Sequence, residues 1–271
     1  MIDTAQAIAL GVIQGLTEYL PVSSSGHLVV AHHLFGLTEP AVFFDVVLHI
    51  GTLLAVIWFY RETIISIITG SIKEIQGGGL GALTKLNSNP SLYYVAMVIA
   101  GTIPTGLIGI LFKDQLEGLF ASTYWTGVSF IVNGLMLLTV IWAKDRERAV
   151  ADIKWWEAVA IGVAQGVAII PAISRSGATI TLALFMGMKK ELAAEFSFLL
   201  SIPAITGALI LKMRHHDGVY PATSLGLGFL ASLVTGYLCL ILLVALMKRG
   251  KFSWFGYYCL IMGAAVLAFM Q

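Results

Sequence analysis

The sequence predicts an all-α polytopic membrane protein, on the evidence of its composition and of its apolar pattern. Hydrophobic residues make up 58% of the 271 residues and charged residues only 11%, against roughly 25% in a typical soluble domain. Mean hydropathy is +0.89. Apolar runs recur that can cross a hydrocarbon core, which takes about 20 helical residues. The net charge of +1 gives no indication of a nucleic-acid partner.

Six of these runs are predicted to be transmembrane helices, at 43–60, 92–112, 124–143, 192–211, 224–247 and 254–270. Two further segments, 5–31 and 157–187, are interrupted by polar residues. The glycine-rich stretch IQGGGLGALTKLNSNP at 75–90 is predicted to be a flexible cytoplasmic loop.

The two interrupted segments are copies of each other. ALGVIQGLTEYLPVSSSGH at 9–27 aligns without a gap with AIGVAQGVAIIPAISRSGA at 160–178, an offset of 151 residues with 8 identities in 19 positions. We therefore predict one membrane domain, 1–271, made of two repeats at about 1–143 and 157–271. The charged linker 144–156 joins them.

Loop charge distinguishes full spans from re-entrant hairpins, because Lys and Arg collect on the cytoplasmic side. If both interrupted segments return to the side they entered, 12 of the 16 basic residues share one side and 3 the other, with Arg175 inside a hairpin. If both cross, the split is 9 to 6. We therefore predict two re-entrant helical hairpins, with both termini outside. Three spans separate them, so the repeats are inverted and the hairpins can meet near the midplane.

Each hairpin turn is predicted to bind an anion. Gly26 and Gly177 permit close backbone approach and positive φ. Each precedes an apolar run that reads as a new half-helix, whose first N–H groups are unpaired. Arg175 adds a planar cation that suits phosphate oxygens. Both turns also supply hydroxyl groups, from Ser23, Ser24, Ser25, Ser174, Ser176 and Thr179.

Two further residues indicate chemistry, because ionisable side chains at membrane depth are costly and usually functional. His27 can exchange a proton near neutral pH, and Glu18 can orient it, act as a base or hold a metal. A turn could bring the Ser24 hydroxyl near the imidazole, which would make Ser24 a nucleophile. The alternatives are a helix cap with a buried histidine, and an Arg–Glu pair that only locks the hairpins together.

The remaining polar residues are open to more than one interpretation. Asp45 and His49 lie one helical turn apart on the same face and are either partners of the site or packing residues. The other histidines, His32, His33, His215 and His216, are predicted to lie in surface loops.

At these residues the chain resembles the undecaprenyl-diphosphate phosphatase family, the bacitracin-resistance type of integral membrane phosphatase. The two family motifs appear as QGLTEYLPVSSSGH at 14–27 and PAISRSGAT at 171–179. FDVVLHIGTLLAV at 44–56 and EFSFLLSIP at 195–203 are also similar to the family. The resemblance covers essentially the whole chain.

The resemblance implies removal of the terminal phosphate from undecaprenyl diphosphate, a prenyl lipid, at the outer face of the bacterial inner membrane. This reaction recycles the carrier lipid for cell-wall synthesis and confers bacitracin resistance. The implied catalytic residues are Glu18, Ser24, His27 and Arg175. The implied substrate-binding residues are Gln14, Ser23, Ser25, Gly26, Ser174, Ser176, Gly177 and Thr179. A divalent cation, Mg²⁺ or Ca²⁺, is implied as well, with Glu18 as its candidate ligand, and a homodimer stays open.

Two positions depart from the family pattern. Gln14 stands where many members have glutamate, so it cannot act as a general base. Ala172 stands where the family usually has glycine. If that position needs positive φ, Ala172 strains the turn by about 1 kcal/mol.

The expected mechanism has Ser24 attacking the terminal phosphorus, with His27 as its base and Glu18 orienting the imidazole or holding the cation. Direct attack by water fits the same residues. The main alternative function is a lipid or small-anion transporter or flippase, because broken helices in inverted repeats also build transport sites. A type-2 phosphatidic-acid phosphatase is disfavoured, because SGATITLALFMG after Arg175 lacks that class's histidine and aspartate.

Overall fold

A computed structural model describes residues 2–37, 41–79, 81–112, 115, 122–144, 147–212 and 220–270. Within these ranges the chain is helical and contains no strand beyond an isolated bridge between Arg148 and Met188. The helices of the first half are α1 Thr4–Tyr19, α2 Ser24–Leu34, α3 Val42–Phe59, α4 Arg61–Gly78, α5 Gly81–Thr84, α6 Pro90–Leu111 and α7 Thr123–Leu138. Those of the second half are α8 Trp155–Val167, α9 Arg175–Phe185, α10 Lys190–Lys212, α11 Ala222–Lys248 and α12 Trp254–Phe269.

The predicted all-α membrane architecture is confirmed. Among the described residues, five helices are long and apolar enough to cross a bilayer: α3, α6, α7 with its extension to Trp142, α10 and α11. The sixth predicted span corresponds to α12, an apolar helix of 16 residues, which is shorter than the usual span of about 20. The protein is therefore an integral membrane protein, with five candidate spans and one shorter apolar helix in the part of the chain that the structure describes.

The predicted flexible loop at 75–90 is wrong in part, because much of it is helical. Helix α4 continues to Gly78, and Gly79 ends it with a φ of +57°. The Asn89 side chain stabilises the residues after Gly79, because its amide donates to the carbonyls of Ala82 and Lys85 at 3.1 and 2.9 Å. The glycine run terminates a helix, and the residues after it form short helical turns before α6 begins.

The two hairpins pack against long helices of the opposite half. Helix α1 lies along α11, and α8 lies along α6. A Cβ atom on Gly11 would lie 2.3 Å from the carbonyl oxygen of Gly228, and one on Gly162 would lie 2.0 Å from that of Gly101. Only glycine allows helices to approach this closely. The exchanged packing agrees with a two-fold repeat, and the inversion across the membrane stays a prediction.

Candidate functional site

The two hairpin turns share one local design. Helices α1 and α2 pack as one hairpin, and α8 and α9 as the other. Ser23 caps α2 by accepting from the Gly26 amide at 3.3 Å, and its hydroxyl lies 3.1 Å from that of Ser25. In the second turn Ser174 likewise accepts from the Gly177 amide at 3.1 Å, and its hydroxyl lies 3.1 Å from that of Ser176. Each turn therefore presents a helix N-terminus with hydroxyl groups, as the serine pattern predicts.

The left-handed residues of the turns are not the predicted glycines. Ser23 has a φ of 67° and Ala172 a φ of 61°, whereas Gly26 and Gly177 lie within helices. The backbone strain that was expected at Ala172 if its φ were positive is therefore present. The other prediction for Gly26, close approach, is correct, because a Cβ there would lie 2.7 Å from the Ala172 Cβ atom.

Asn133 on α7 joins the two turns. Its amide nitrogen donates to the Pro21 carbonyl at 3.0 Å, and its amide oxygen accepts from the Ser174 backbone N–H at 3.0 Å. The side chain is fully buried. A polar residue in the apolar run SFIVNGLMLL was the available sequence signal, but it does not say what Asn133 binds. This one side chain fixes both turns to the same helix.

Glu18, near the end of α1, is the point where the hairpins meet. Its Oε2 accepts from the Ser24 hydroxyl at 2.5 Å and from the Gln14 amide at 3.0 Å. Its Oε1 forms an ion pair with Arg175 of the second hairpin. The Glu18 side chain is 2% exposed, and the Arg175 side chain is 23% exposed. A buried carboxylate thus contacts the candidate nucleophile from one hairpin and the candidate phosphate-binding cation from the other.

Helix α10 closes the far side of this cluster. A small enclosed pocket beside Arg175 is lined by Glu18, Tyr19, Arg175, Ser176, Ser197, Phe198 and Ser201. Thr179, a predicted binding residue, shares a 2.5 Å hydrogen bond with the hydroxyl of Ser197. Ser197 lies in the family-like stretch 195–203, which gave it no role, and the structure adds it to the polar wall around Arg175.

The predicted contact between Ser24 and His27 is wrong in this structure. His27 Nδ1 lies 2.7 Å from the Ser23 carbonyl oxygen, and Nε2 lies 2.7 Å from the hydroxyl of Tyr258 on α12. Both ring nitrogens are therefore occupied. Ser24 and His27 lie three residues apart on α2, but Ser24 faces α1 while His27 faces α7 and α12. Glu18 takes the place beside Ser24 that the sequence spacing predicted for His27.

Asp45 and His49 are neighbours of the site and not distant packing residues. His49 Nε2 lies 3.7 Å from Glu18 Oε2, and His49 Nδ1 lies 2.8 Å from the Asp45 carbonyl oxygen. The Asp45 carboxylate lies 3.3 Å from His32 Nε2. The prediction of a loop for His32 and His33 is wrong, because both lie in α2. The predicted surface placement is confirmed for His33, which is exposed, while His32 is half-buried. His215 and His216 lie outside the described residues.

The residues around Glu18 do not fit a resident divalent cation. A metal site needs several oxygen ligands free to face the ion. Here Oε1 is paired with Arg175, and Oε2 accepts from Ser24 and Gln14. Among the described residues, no group of three or more His, Cys, Asp or Glu side chains is placed to hold a metal. Glu18 is instead saturated by N–H and O–H donors.

The fold and the site together define an integral membrane protein in which two helical hairpins build one polar cluster around Glu18 and Arg175. Comparison with known proteins gives the family. The family model described as "Bacitracin resistance protein BacA" matches residues 7–265. This chain therefore belongs to the BacA family of bacitracin resistance proteins.

Curated relatives agree with this assignment over nearly the full length. A protein named undecaprenyl-diphosphatase from Carboxydothermus hydrogenoformans is 40% identical over 273 residues, covering 98% of this chain and 97% of its own length. Proteins of the same name from Desulfatibacillum aliphaticivorans and Methanosphaera stadtmanae are 40% and 39% identical, each over 267 residues. Each of these two matches covers 97% of this chain, with 97% and 96% of the relatives' own lengths. The names are those of an enzyme and do not support the transporter alternative.

Proposed function

We propose that this protein is an undecaprenyl-diphosphate phosphatase, which hydrolyses undecaprenyl diphosphate to undecaprenyl phosphate and inorganic phosphate. The observation that carries the proposal is the contact of one buried carboxylate, Glu18, with Ser24 of the first hairpin and Arg175 of the second. The relatives' names agree with this reaction. The product is the lipid carrier for cell-wall synthesis, and its recycling accounts for bacitracin resistance.

The diphosphate binds where the two turns converge. Arg175 and the first N–H groups of α2 and α9 neutralise the phosphoryl oxygens, because phosphoryl transfer depends mainly on positioning and electrostatic stabilisation. Arg175 then exchanges its Glu18 partner for the substrate. The polar groups of the turns complete the binding site, from Gln14, Ser23, Ser25, Gly26, Ser174, Ser176, Gly177 and Thr179.

In the first chemical step Ser24 is the nucleophile and Glu18 is its base. The 2.5 Å hydrogen bond directs the Ser24 proton at Glu18 Oε2. A bond forms between Ser24 Oγ and the terminal phosphorus while the bond from phosphorus to the bridging oxygen breaks. Undecaprenyl phosphate leaves with that oxygen, and the proton moves from Ser24 to Glu18.

In the second step water hydrolyses the phosphoserine. The water oxygen bonds to phosphorus, its proton passes to a phosphoryl oxygen, and the bond between Ser24 Oγ and phosphorus breaks. Glu18 returns its proton to Ser24, and inorganic phosphate is released. Direct attack by water on the lipid diphosphate remains the competing route, and full turnover by Ser24→Ala would favour it.

The membrane placement belongs to the same proposal. The site opens to the outer face of the bacterial inner membrane, both termini lie outside, and the two hairpins are re-entrant in inverted repeats. The exchanged packing of α1 on α11 and α8 on α6 supports the repeat. We also propose that the reaction requires Mg²⁺ or Ca²⁺ in solution. The test compares phosphate release with either ion and with EDTA. A homodimer is tested by the mass of the protein in detergent.

The experiment is phosphate release from a long-chain prenyl diphosphate by purified protein in detergent. The test variant is Arg175→Ala, and the matched control is Arg61→Ala, whose side chain pairs with exposed Glu62 at the start of α4. We expect the test variant to lose about 10³-fold in kcat/KM and the control to retain wild-type activity. No release by folded wild-type protein, or equal release by both variants, would refute the proposal.

A further inference from the structure

The amide of Gln14 holds the carboxylate at the centre of the site. Its Nε2 donates to Glu18 Oε2 at 3.0 Å and to the hydroxyl of Thr52 at 3.4 Å. All three side chains are buried. Gln14 lies one helical turn before Glu18 on α1, whereas Thr52 lies on α3. The amide therefore links two helices at the point where Ser24 and Arg175 also contact Glu18.

Two acceptors fix the orientation of this amide. The Thr52 hydroxyl already donates to the His49 carbonyl at 3.0 Å, so its oxygen can only accept from Gln14. An ionised carboxylate can also only accept. If the amide were reversed, Gln14 Oε1 would face two acceptors, and both buried hydrogen bonds would be lost. Gln14 therefore presents N–H groups to Glu18 rather than its oxygen.

The charges around Glu18 also disfavour a resident cation. Oε1 is paired with Arg175, so one negative charge already faces one positive charge. The described side chains that contact this carboxylate are Ser24, Gln14, His49 and Arg175. None of these groups is negatively charged. The substrate-free site therefore has no surplus negative charge that would hold Mg²⁺ or Ca²⁺.

The second hairpin explains the unpaired oxygen of Gln14. Gln165 occupies the equivalent position, and its amide donates to Thr105 at 3.1 Å. The buried Oε1 atoms of both glutamines lack a hydrogen-bond partner among the described residues. Gln165, however, has Ile169 where Gln14 has Glu18, so it has no such carboxylate with which to share a cation. The unpaired oxygen is thus a property of the duplicated scaffold and not of a metal site.

We propose that Gln14 excludes a resident divalent cation from Glu18, and that its N–H group takes the place of such a cation in holding the carboxylate. A divalent cation used in the reaction then arrives bound to the diphosphate, and this part of the inference rests on the proposed function.

The geometry also predicts which change creates a resident site. Gln14→Glu places a carboxylate oxygen where Nε2 now lies, 3.0 Å from Glu18 Oε2. Two carboxylates this close are not both ionised unless a cation lies between them. The hydroxyl groups of Ser24 and Thr52 then supply further oxygen ligands. One amide thus separates a site filled by N–H and O–H donors from a cation site.

The test measures Ca²⁺ binding to purified, substrate-free protein in detergent by equilibrium dialysis against radioactive Ca²⁺. The wild type and Gln14→Glu are compared with Gln165→Glu, the same change at the equivalent position of the second hairpin. We expect Gln14→Glu to gain one site per chain that binds at least about ten-fold more tightly than any site of the other two, because carboxylate count sets calcium affinity. Equal binding by the two variants would overturn the proposal.

A second comparison does not require Gln14→Glu to fold. The wild type and Glu18→Gln are expected to bind Ca²⁺ equally, since the wild-type carboxylate holds no cation. A bound cation that is lost in Glu18→Gln would overturn the proposal.

A third measurement separates this inference from the proposed function. A prenyl bisphosphonate, in which a methylene group replaces the bridging oxygen, is added to the wild type. One Ca²⁺ per chain should bind with this analogue and none at the site without it, after subtraction of the Ca²⁺ bound by protein-free micelles. Binding of Ca²⁺ at Glu18 without the analogue would contradict the exclusion by Gln14. Failure of the analogue itself to bind would instead refute the proposed function.

Discussion

The two hairpins have the same scaffold but contribute different chemistry. At the constant offset of 151 residues, Ser23 and Ser174 cap the second arms, and those arms begin at Ser24 and Arg175. The first residue of each arm thus occupies an equivalent position, and both contact Glu18. One is a hydroxyl and the other a guanidinium. The duplicated fold presents two side chains to one point, and divergence at that position makes one of them the proposed nucleophile and the other a cation.

Glu18 and His27 of the first hairpin have no titratable counterparts at the equivalent positions of the second. Glu18 corresponds to Ile169 and His27 to Ala178. Gln14 donates to Glu18, whereas its copy Gln165 donates to Thr105 on α6 at 3.1 Å. In the proposed reaction the second hairpin therefore binds the diphosphate and neutralises its charge, while Glu18 of the first hairpin also transfers a proton.

The largest expected effect tests this division with one substitution on each hairpin. Glu18→Gln removes the charge that pairs with Arg175 and the base that takes the Ser24 proton, so we expect kcat/KM to fall about 10³-fold. Glu157→Gln changes the carboxylate of the second hairpin. Glu157 pairs with Arg148 at a distance of 2.7 Å, and this pair lies away from the site. It should keep wild-type kcat/KM. Similar losses in phosphate-release assays of the two variants would contradict the division.

A smaller effect, on stability, tests whether Asn133 holds the two turns together. Asn133→Ala leaves the Pro21 carbonyl and the Ser174 N–H without their buried partner, which costs about 3 kcal/mol. The matched change is Thr126→Val, on the same buried face of α7, where the hydroxyl bonds only to Ser122 in its own helix. Thermal unfolding in detergent compares the two. Equal midpoints would mean that the turns are held independently.

The smallest effect concerns the turns themselves. Ala172 corresponds to Pro21, whose ring forbids positive φ, so the first turn places its left-handed residue at Ser23 instead. Ala172→Gly stabilises the folded protein by removing about 1–2 kcal/mol of backbone strain. It also destabilises the folded protein, by about 0.8 kcal/mol through the lost burial of a methyl group and by about 0.5–1 kcal/mol through the greater entropy of the unfolded chain. We expect the free energy of unfolding to change by less than about 1 kcal/mol in either direction.

The comparison for that change is Ser23→Ala, which keeps the left-handed backbone and loses the cap on Gly26. It should cost about 1 kcal/mol. If Ala172→Gly were the more destabilising of the two, the methyl contact with Gly26 would matter more than the backbone strain.

The sequence predicted the helical class and both breaks in the hairpins, because these depend on hydropathy and on local turn chemistry. It predicted new half-helices after Gly26 and Gly177, whereas α2 and α9 already begin at Ser24 and Arg175. Glu18 was identified as an ionisable residue at membrane depth, and the structure brings it into contact with both Ser24 and Arg175.

The contacts between distant segments could not be predicted, because they depend on how helices pack. Sequence spacing favoured His27 as the partner of Ser24, three residues away, but the direction of each side chain on α2 decided for Glu18. Tyr258 reaches His27 across 231 positions and has no motif of its own. The positive φ at Ser23 could not be predicted either. It follows from Pro21, and the gapless alignment gives no indication that the two turns differ in this way.

The most direct test of the central claim, that two hairpins form one catalytic unit around Glu18, is a double-mutant cycle in phosphate release. Ser24→Ala, Arg175→Ala and the double variant are compared by kcat/KM with the wild type. Residues that act as a unit are strongly non-additive, so we predict that the double variant loses no more than the worse single variant. Losses that multiply would show that Ser24 and Arg175 act independently and would contradict the account.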